Sequence, residues 1–177
     1  MSNEIVVTLY KWAGSCGPFK IKIPCGECTL TKDIILDIKK TELLNYPFEL
    51  IEKDWLSNLK ESLLIGGWHA PVVSVNNKII SQGKALNRGV FIQSIIEEFS
   101  KSHPIKGNVL YGKSGCHFCI KAKELLKENN VEFTEYDVVK NSVALYEMLP
   151  SVKSKINKKT PITTPQIWLD SQYIGGF

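Results

Sequence analysis

The chain has 177 residues, of which 44% are hydrophobic and 23% are charged, and its formal net charge is +4. This composition is that of an ordinary globular protein, and so small an excess of positive charge predicts no nucleic-acid partner. The first residues lack a basic segment followed by an apolar one, and no apolar run approaches 18 residues. We therefore expect a cytoplasmic protein without a signal peptide or a membrane partner.

The first half of the chain alternates strand and helix patterns. Apolar, β-branched runs predict strands over Ile5 to Trp12 and over Phe48 to Lys53. Between them, a loop rich in glycine and proline leads to a helix that starts near Cys28. The predicted apolar side of that helix consists of Leu30, Ile34, Ile35 and Ile38.

The remainder of the first half predicts a helix, a hairpin and a last helix. The first of these helices ends at the glycine pair Gly66–Gly67, and its apolar positions are Trp55, Leu56, Leu59, Leu63 and Leu64. The hairpin begins at Pro71 and turns at two asparagines. Asn87 caps the last helix, whose apolar positions are Phe91, Ile92, Ile95, Ile96 and Phe99.

The second half repeats this order. Residues 104–107 are a predicted linker between one domain over 1–103 and another over 108–177. The predicted elements are strands over Asn108–Tyr111 and Val131–Val138, helices over Cys116–Asn129 and Ser142–Leu149, and a final hairpin. The first of these helices turns Phe118, Ala122, Leu125 and Leu126 inward, and Pro150 interrupts the second.

No equivalent of the last helix follows the second hairpin, because the chain ends at Phe177. We therefore expect a second domain that lacks its last helix, in a shortened version of the protein, or a sheet face that is covered in another way. An uncovered face would expose Ile167 or Leu169.

Two Cys-x-x-Cys motifs occupy the same place in the two halves. Pro71 follows Cys25 by 46 residues, and Pro165 follows Cys116 by 49 residues. Each proline opens an apolar strand, a polar two-residue turn and a second apolar strand. The spacing indicates an internal duplication, and the duplicated feature is a pair of cysteines.

A cysteine at the beginning of a helix is suited to redox chemistry. Only the thiolate attacks a disulfide, and the unpaired N–H groups of a helix N-terminus stabilise it. A second cysteine one turn into the helix is close enough to form a disulfide with the first, and so it can resolve a mixed disulfide. For the second motif, a structural disulfide and a zinc site remain as alternatives. For the first motif, the alternatives are metal binding together with Cys16 and a degenerate site that is kept for packing.

The second half resembles a dithiol glutaredoxin. The resemblance lies in Val109 to Cys119, in Thr163 to Ile167 and in the run Ile174-Gly175-Gly176. It implies a thioredoxin fold with a mixed four-stranded sheet and a cis peptide bond before Pro165. It also implies that Cys116 is the nucleophile and Cys119 the resolving thiol.

The same resemblance implies a groove for glutathione as co-substrate, with no other cofactor required. The implied groove residues are Lys113, Phe118, Thr164, Pro165, Gly175 and Gly176.

The sequence departs from the usual glutaredoxin pattern at two positions. His117 replaces the proline usual after the first cysteine, and a charged imidazole there would stabilise the Cys116 thiolate and make the disulfide more oxidising. The acidic residue usual after the glycine pair is absent from the sequence.

The first half resembles the thioredoxin-like superfamily more loosely. This resemblance implies that Pro71 is cis, that Cys25 is the nucleophile and that Cys28 resolves. Its active-site loop is about ten residues longer than that of the second half and carries Cys16. Glu27 opposes thiolate formation between the two cysteines, whereas Lys20 and Lys22 offset it.

We therefore expect two tandem thioredoxin-fold domains that catalyse thiol–disulfide exchange in electron transport and cell redox homeostasis. Expected partners are glutathione and proteins with disulfides or glutathione adducts. The sequence leaves open whether ribonucleotide reductase is a substrate and whether a flavoprotein disulfide reductase is a partner. A relay of electrons between the two cysteine pairs is one purpose of the fusion.

Two competing interpretations belong to other classes of protein. One is an iron–sulfur or zinc carrier that uses the motif cysteines together with Cys16. The other is an adaptor whose first domain only binds a client. Besides these, Trp12 is expected either to stack beside the first motif or to pack in the core, and His69 either to pack in its loop or to tune the site.

Overall fold

A computed structural model describes residues 4–23, 25–157 and 160–176. The chain divides into two compact units, Met1–Glu98 and Phe99–Phe177. Each unit contains a four-stranded sheet with parallel and antiparallel pairs, accompanied by helices. The predicted α/β class with two such sheets is confirmed. The boundary between the units falls inside the helix Arg88–Ser102, and the limits 1–103, 104–107 and 108–177 stay predictions.

The sheet of the first unit is built around β1 (Ile5–Lys11). β1 pairs in parallel with β4 (Phe48–Asp54) and antiparallel with β5 (Val72–Val75), which pairs with β6 (Lys78–Gln82). β1 and β5 are almost wholly buried because their apolar side chains face the core on both sides of the sheet. The carboxyl end of β1 therefore leads from the core to the first cysteine motif.

A small hairpin replaces the loop predicted after β1. It pairs β2 (Gly14–Cys16) with β3 (Phe19–Ile21). The turn uses Gly17 at φ 57°, a left-handed conformation that glycine adopts without steric cost. The prediction of an irregular loop was wrong because this insertion satisfies its own backbone hydrogen bonds in a two-stranded ladder.

The helices of the first unit are α1 (Gly26–Lys40), α2 (Leu59–Leu64) and α3 (Arg88–Ser102). The predicted cap of α3 is confirmed, since Val90 donates its N–H to Asn87 Oδ1 at 3.1 Å. In α1, the predicted inward position of Leu30 is wrong, because the helix turns Leu30 to solvent. Its buried positions are Cys28, Thr31, Ile35 and Ile38.

The helix α2 is shorter than the predicted one. The N–H groups of Trp55 and Leu56 bond to the carbonyls of Lys11 and Ala13, at 2.7 and 2.9 Å, so this segment is a turn tied to the end of β1. The predicted apolar positions Leu63 and Leu64 are exposed, and Ser62 is the buried side chain. The predicted stop at the glycine pair is confirmed, since Gly66 has φ 90°.

The sheet of the second unit is built around β7 (Val109–Gly112). β7 pairs in parallel with β8 (Thr134–Asp137) and antiparallel with β9 (Gln166–Leu169), and β9 pairs with β10 (Gln172–Gly176). The order β10-β9-β7-β8 repeats the order β6-β5-β1-β4 of the first unit. Its helices are α4 (His117–Glu128) and α5 (Ser142–Lys153).

Two expectations for the helices of the second unit were wrong. α5 continues through Pro150 to Lys153, because the fully buried Val152 holds its last turn against the core. In α4 the buried positions are Cys119, Ala122 and Leu126, and this phase leaves Phe118 and Leu125 about half exposed.

Each face of the second sheet packs against a helix. On one face, Val109, Tyr111 and Trp168 pack with residues of α5. On the other, Leu110 packs with Ala122 and Leu126 of α4, and Ile167 and Leu169 lie half-buried against them. The uncovered face that would expose Ile167 or Leu169 is therefore not observed. No helix in the described ranges is long and apolar enough to cross a membrane.

Arg88 ties the beginning of α3 to the end of α1. Its guanidinium donates to both oxygens of Glu42, at 2.8 and 2.6 Å, and to Asp37 at 2.7 Å. The hydrogen bonds from Arg88 lower the pKa of Glu42 from 4.5 to about 2. Because the folded-state value is depressed, this pair stabilises the protein above the unfolded pKa, and the stabilisation is lost as pH falls from about 4.5 to about 2.

We predict that Glu42→Gln lowers the free energy of unfolding by about 1 kcal/mol at pH 7, since a partly exposed charge pair contributes no more than this. The difference from the wild type should shrink as pH falls through the range 4.5 to 2. Urea unfolding at several pH values measures it, and Glu49→Gln on the exposed face of β4 is the matched control. A difference that stays constant with pH would contradict the assignment.

Candidate active site

The second cysteine motif lies where β7 passes into α4. The strand ends at Gly112, a tight loop turns at Gly115 with φ 72°, and Cys116 is the N-cap of the helix. Cys119 donates its backbone N–H to Cys116 Sγ at 3.2 Å, and the two cysteines are joined as a disulfide. A sulfur atom in this position receives the unpaired N–H groups of the first helical turn, so the site favours a thiolate.

Thr164 and Pro165 reach the same sulfur from β9. The Thr164–Pro165 peptide bond is cis. Cys116 Sγ lies 3.6 Å from the carbonyl oxygen of Thr164 and 3.8 Å from its hydroxyl. Cys116 is 8% exposed and Cys119 only 1%. Cys116 is therefore the more accessible residue of the pair, and the backbone of Thr164 lies beside it.

Of the other residues implied for glutathione, two lie on β10 and two flank Cys116 in the chain. Gly176 pairs with Gln166, and a Cβ atom on Gly176 would lie 3.2 Å from the carbonyl oxygen of Pro165. Gly175 has φ 120°, which side chains rarely adopt. Lys113 and Phe118 are exposed on either side of Cys116 in the chain. The structure thus brings Thr164, Pro165 and Gly176 together.

A carboxylate that the sequence analysis overlooked anchors the loop before Cys116. Asp137, at the end of β8, accepts hydrogen bonds from the backbone N–H of Ser114 at 3.1 Å and from its hydroxyl at 2.6 Å. It also accepts from the N–H groups of Val139 and Lys140, at 3.0 and 3.3 Å. These bonds, that of the Ser114 side chain first, lower the pKa of Asp137 from 3.8 to about 2. The sequence signal that could have revealed this anchor is an aspartate at the end of β8, the strand that pairs in parallel with β7.

The first cysteine motif repeats the same arrangement at the beginning of α1. Cys25 is the N-cap, Cys28 donates its N–H to Cys25 Sγ at 3.2 Å, and a disulfide joins them. The Ala70–Pro71 peptide bond is cis. Unlike the second motif, this one has an acidic residue, Glu27, in the first helical turn. The two motifs therefore share their backbone geometry, but only the first has a carboxylate in the first helical turn.

A cleft of about 530 Å³ opens beside Cys25 and Cys28. Trp12 lines it, stacks on Trp55 with ring centroids 5.4 Å apart, and donates its backbone N–H to Cys28 Sγ at 3.2 Å. The expectation that Trp12 stacks beside the first motif therefore agrees with its position. The lining residues are Lys11, Trp12, Ala13, Ile21, Lys22, Ile23, Cys25, Cys28, Thr29, Lys32, Asp33 and Glu52.

One wall of this cleft carries a three-residue ion network. Glu52 of β4 bonds to Lys32 at 2.8 Å and to Lys11 at 3.1 Å. These contacts, that with Lys32 first, hold the pKa of Glu52 below its ordinary value. Glu52 is therefore ionised at neutral pH, and it forms salt bridges with both lysines.

The remaining candidates lie outside this cleft. Cys16 is a free, exposed thiol on β2 and does not line the cleft. His69 is exposed, its ring lies 6.2 Å from that of Trp68, and its carbonyl accepts the N–H of Gly83 at 2.7 Å. Within residues 4–23, 25–157 and 160–176, no three His, Cys, Asp or Glu side chains are grouped so as to hold a metal ion.

We predict that Asp137→Asn and Ser114→Ala each slow alkylation of reduced Cys116 several-fold, because the loop that presents the sulfur loses its anchor. In the wild type the anchor should weaken as pH falls from about 3.8 to about 2, where Asp137 is protonated. Mass-spectrometric alkylation kinetics measure the effect. Asp54→Asn is the matched control, because Asp54 ends β4 as Asp137 ends β8. Unchanged kinetics in both variants would show that the anchor is dispensable.

Comparisons with known proteins match the second half of the chain. The family model named glutaredoxin matches residues 108–174. Glutaredoxin 1 of Rickettsia bellii (strain RML369-C) is 34% identical over 68 residues, covering 38% of this chain and 66% of that protein. Glutaredoxin 3 of Escherichia coli (strain K12) is 36% identical over 67 residues, covering 38% of this chain and 72% of that protein.

A solved structure of wheat glutaredoxin is 21% identical, has a TM-score of 0.35, and covers 49% of this chain and 76% of that one. The chain spans less than two thirds of several Rickettsia relatives, for example 62% of glutaredoxin 1 of Rickettsia conorii (strain ATCC VR-613 / Malish 7). Because the chain covers 72% of Escherichia coli glutaredoxin 3 at 36% identity, it belongs to the glutaredoxin family.

Proposed function

We propose that the protein is a glutaredoxin-type thiol–disulfide oxidoreductase whose principal nucleophile is Cys116. The observation that carries this proposal is the position of Cys116 as a helix N-cap, with Cys119 bonded to it and the cis Thr164–Pro165 segment beside it. Family membership supports the same chemistry.

The reaction begins with the reduced pair. The Cys116 thiolate attacks one sulfur of a substrate disulfide, a mixed disulfide forms, and the other substrate sulfur leaves as a thiolate that takes a proton from water. Cys119, one turn into α4, then attacks Cys116 Sγ and releases the second substrate thiol. Two electrons pass from the cysteine pair to the substrate, and the pair becomes the disulfide seen in the structure.

Glutathione is the proposed electron donor of this site, and it resolves the mixed disulfide as an alternative to Cys119. The proposed groove uses Lys113 for a carboxylate, the backbone of Thr164 and Pro165, and the glycine pair Gly175–Gly176. Lys113 is exposed, and the space at the Cβ position of Gly175 is open, so this glycine leaves room for a ligand backbone. No other cofactor is needed for the exchange.

Cys25 and Cys28 form the second proposed redox site. The same N-cap geometry and the same cis-proline position support this assignment. We further propose that electrons pass between the two pairs, because two sites in one chain meet at a high effective concentration. Proteins with disulfides or glutathione adducts are the proposed substrates, and a reducing compartment such as the cytoplasm is where paired cysteines serve catalysis.

We predict that Cys116→Ser abolishes glutathione-dependent reduction of a small mixed disulfide, by at least about a hundredfold, because serine cannot replace the thiolate. Cys119→Ser should retain part of the turnover, since glutathione then resolves the intermediate. NADPH consumption coupled through glutathione reductase measures both, and Cys16→Ser is the control. Full activity in Cys116→Ser would contradict the proposal.

We also predict that His117→Pro makes Cys116 less reactive at neutral pH and its disulfide less oxidising. A charged imidazole on the residue that follows Cys116 would stabilise the thiolate, whereas proline offers no charge. The pH profile of Cys116 alkylation should therefore move to higher pH. His117→Gln keeps a polar side chain but removes the charge, so it distinguishes the effect of the charge from the effect of proline on the backbone. A profile that does not move in either variant would exclude a role for His117.

A further inference from the structure

The registers of the two sheets allow the two cysteine sites to be compared residue by residue. Lys11 pairs with Asp54 as Gly112 pairs with Asp137, so that Trp12 stands at the position of Lys113. The two motifs align through their cysteines, which places Glu27 at the position of Phe118. The aromatic and the charged residue beside the nucleophile are thus exchanged between the sites.

The hairpins give the remaining positions. Val72 pairs with Gln82 as Gln166 pairs with Gly176, and Ala70 precedes the cis proline where Thr164 does in the second unit. The glycine pair Gly175–Gly176 is therefore replaced by Ser81–Gln82. Gln82 therefore has a side chain where the second unit has none, and this side chain accepts the backbone N–H of Trp68 at 3.2 Å.

Apart from the proline, every position proposed for glutathione in the second site differs in the first. Glutathione carries two carboxylates and no apolar side chain. At the first site it would meet the carboxylate of Glu27 where Phe118 stands in the second, Trp12 where Lys113 stands, and side chains at Ser81 and Gln82 where the second site has glycines. The added negative charge and the missing lysine disfavour the carboxylates of glutathione at this site.

The cleft of the first site has a different chemistry. Trp12, Ile21 and Ile23 give it an apolar lining, and Ile23 is 75% exposed. Lys22 lines it as well and makes no salt bridge with any residue among those described, whereas Glu52 engages Lys11 and Lys32. The lining therefore offers an apolar contact and one available cation next to a disulfide.

We propose that the Cys25–Cys28 site exchanges disulfides with polypeptide segments that carry a cystine, rather than with glutathione. The segment places an apolar side chain against Trp12 and Ile23 and an acidic one against Lys22. This inference rests on the proposed function and specifies the substrate class of one of its two sites. The two sites then divide the substrates, with glutathione at the second and protein disulfides at the first.

The exchange balances with one proton from water. The Cys25 thiolate attacks the peptide cystine, and one peptide sulfur leaves as a thiolate that takes a proton from water. Cys28 then attacks Cys25 Sγ, and its proton passes to the second peptide sulfur as that sulfur is released. The peptide gains two electrons and two protons, the electrons come from the cysteine pair, and Cys25–Cys28 ends as a disulfide.

The test uses the full chain with Cys16→Ser throughout, so that the exposed third thiol does not contribute. One variant retains only the first pair (Cys116→Ser/Cys119→Ser) and the other only the second (Cys25→Ser/Cys28→Ser). Each is reduced, freed of reductant and mixed with oxidised glutathione or with a disulfide-closed synthetic peptide that carries leucine and glutamate beside its cysteines. Acid-quenched mass spectrometry gives the rate of a single turnover.

We expect the first pair to react at least about tenfold faster with the peptide than with oxidised glutathione, and the second pair to show the opposite preference. Equal or faster reaction of the first pair with oxidised glutathione would overturn the inference, and so would a first pair that reacts with neither. In both cases a second pair that still reacts leaves the proposed function intact. If neither pair reacts with either probe, the proposed function fails as well.

Two substitutions test the recognition itself. Lys22→Ala should slow reaction of the first pair with the glutamate peptide, while leaving its rate with a lysine-substituted peptide unchanged. Lys84→Ala, another exposed lysine of the same unit that does not line the cleft, is the matched control. Trp12→Lys/Glu27→Phe should raise the rate with oxidised glutathione, and an unchanged rate would argue against the assigned positions.

Discussion

Both cysteine sites depend on one local interaction, which is the sulfur atom of a cysteine capping the first turn of a helix. In each unit a buried strand passes through a turn and places this cysteine at the N-cap, where it accepts the N–H of the second cysteine at 3.2 Å. The helix supplies donors that have no other partner, and it holds the second sulfur within bonding range. The sheet, with its strand order repeated, fixes where this turn occurs.

Within this common frame the two sites differ in what surrounds the sulfur. The second unit keeps a short loop anchored by Asp137, a threonine before the cis proline and a glycine pair on β10. The first unit inserts the β2–β3 hairpin, places Trp12 beside the cysteines and opens a cleft toward the edge strand β4. A duplicated backbone thus surrounds its two cysteine pairs with different side chains.

Much of this arrangement could be predicted from the sequence. Periodic apolar runs identified the strands. The polar two-residue turns predicted for the two hairpins are Asn76–Asn77 and Asp170–Ser171, whose φ values lie between 48° and 67°. The repeated spacing of cysteines and prolines indicated that both cysteine pairs occupy corresponding places in the two units, and each first cysteine is a helix N-cap. These features are local, or they recur at a fixed distance in the chain, and a sequence records them directly.

The features that were missed depend on contacts between distant segments. The early start predicted for α2 failed because Trp55 and Leu56 bond to the end of β1, and the stop predicted at Pro150 failed because Val152 is buried in the core. The anchor at Asp137 and the cleft beside Cys25 also require the folded sheet. The sequence contains these residues, but it does not show that they lie close together. Their proximity depends on how the strands pair in the folded sheet.

The most direct test of this account is a redox titration of the unaltered chain in mixtures of reduced and oxidised dithiothreitol, with thiol trapping and peptide mapping. The account predicts that Cys25 and Cys28 change together, that Cys116 and Cys119 change together, each as a two-electron couple, and that Cys16 stays alkylated throughout. Cysteines that change singly, or a motif that never forms its internal disulfide, would contradict it.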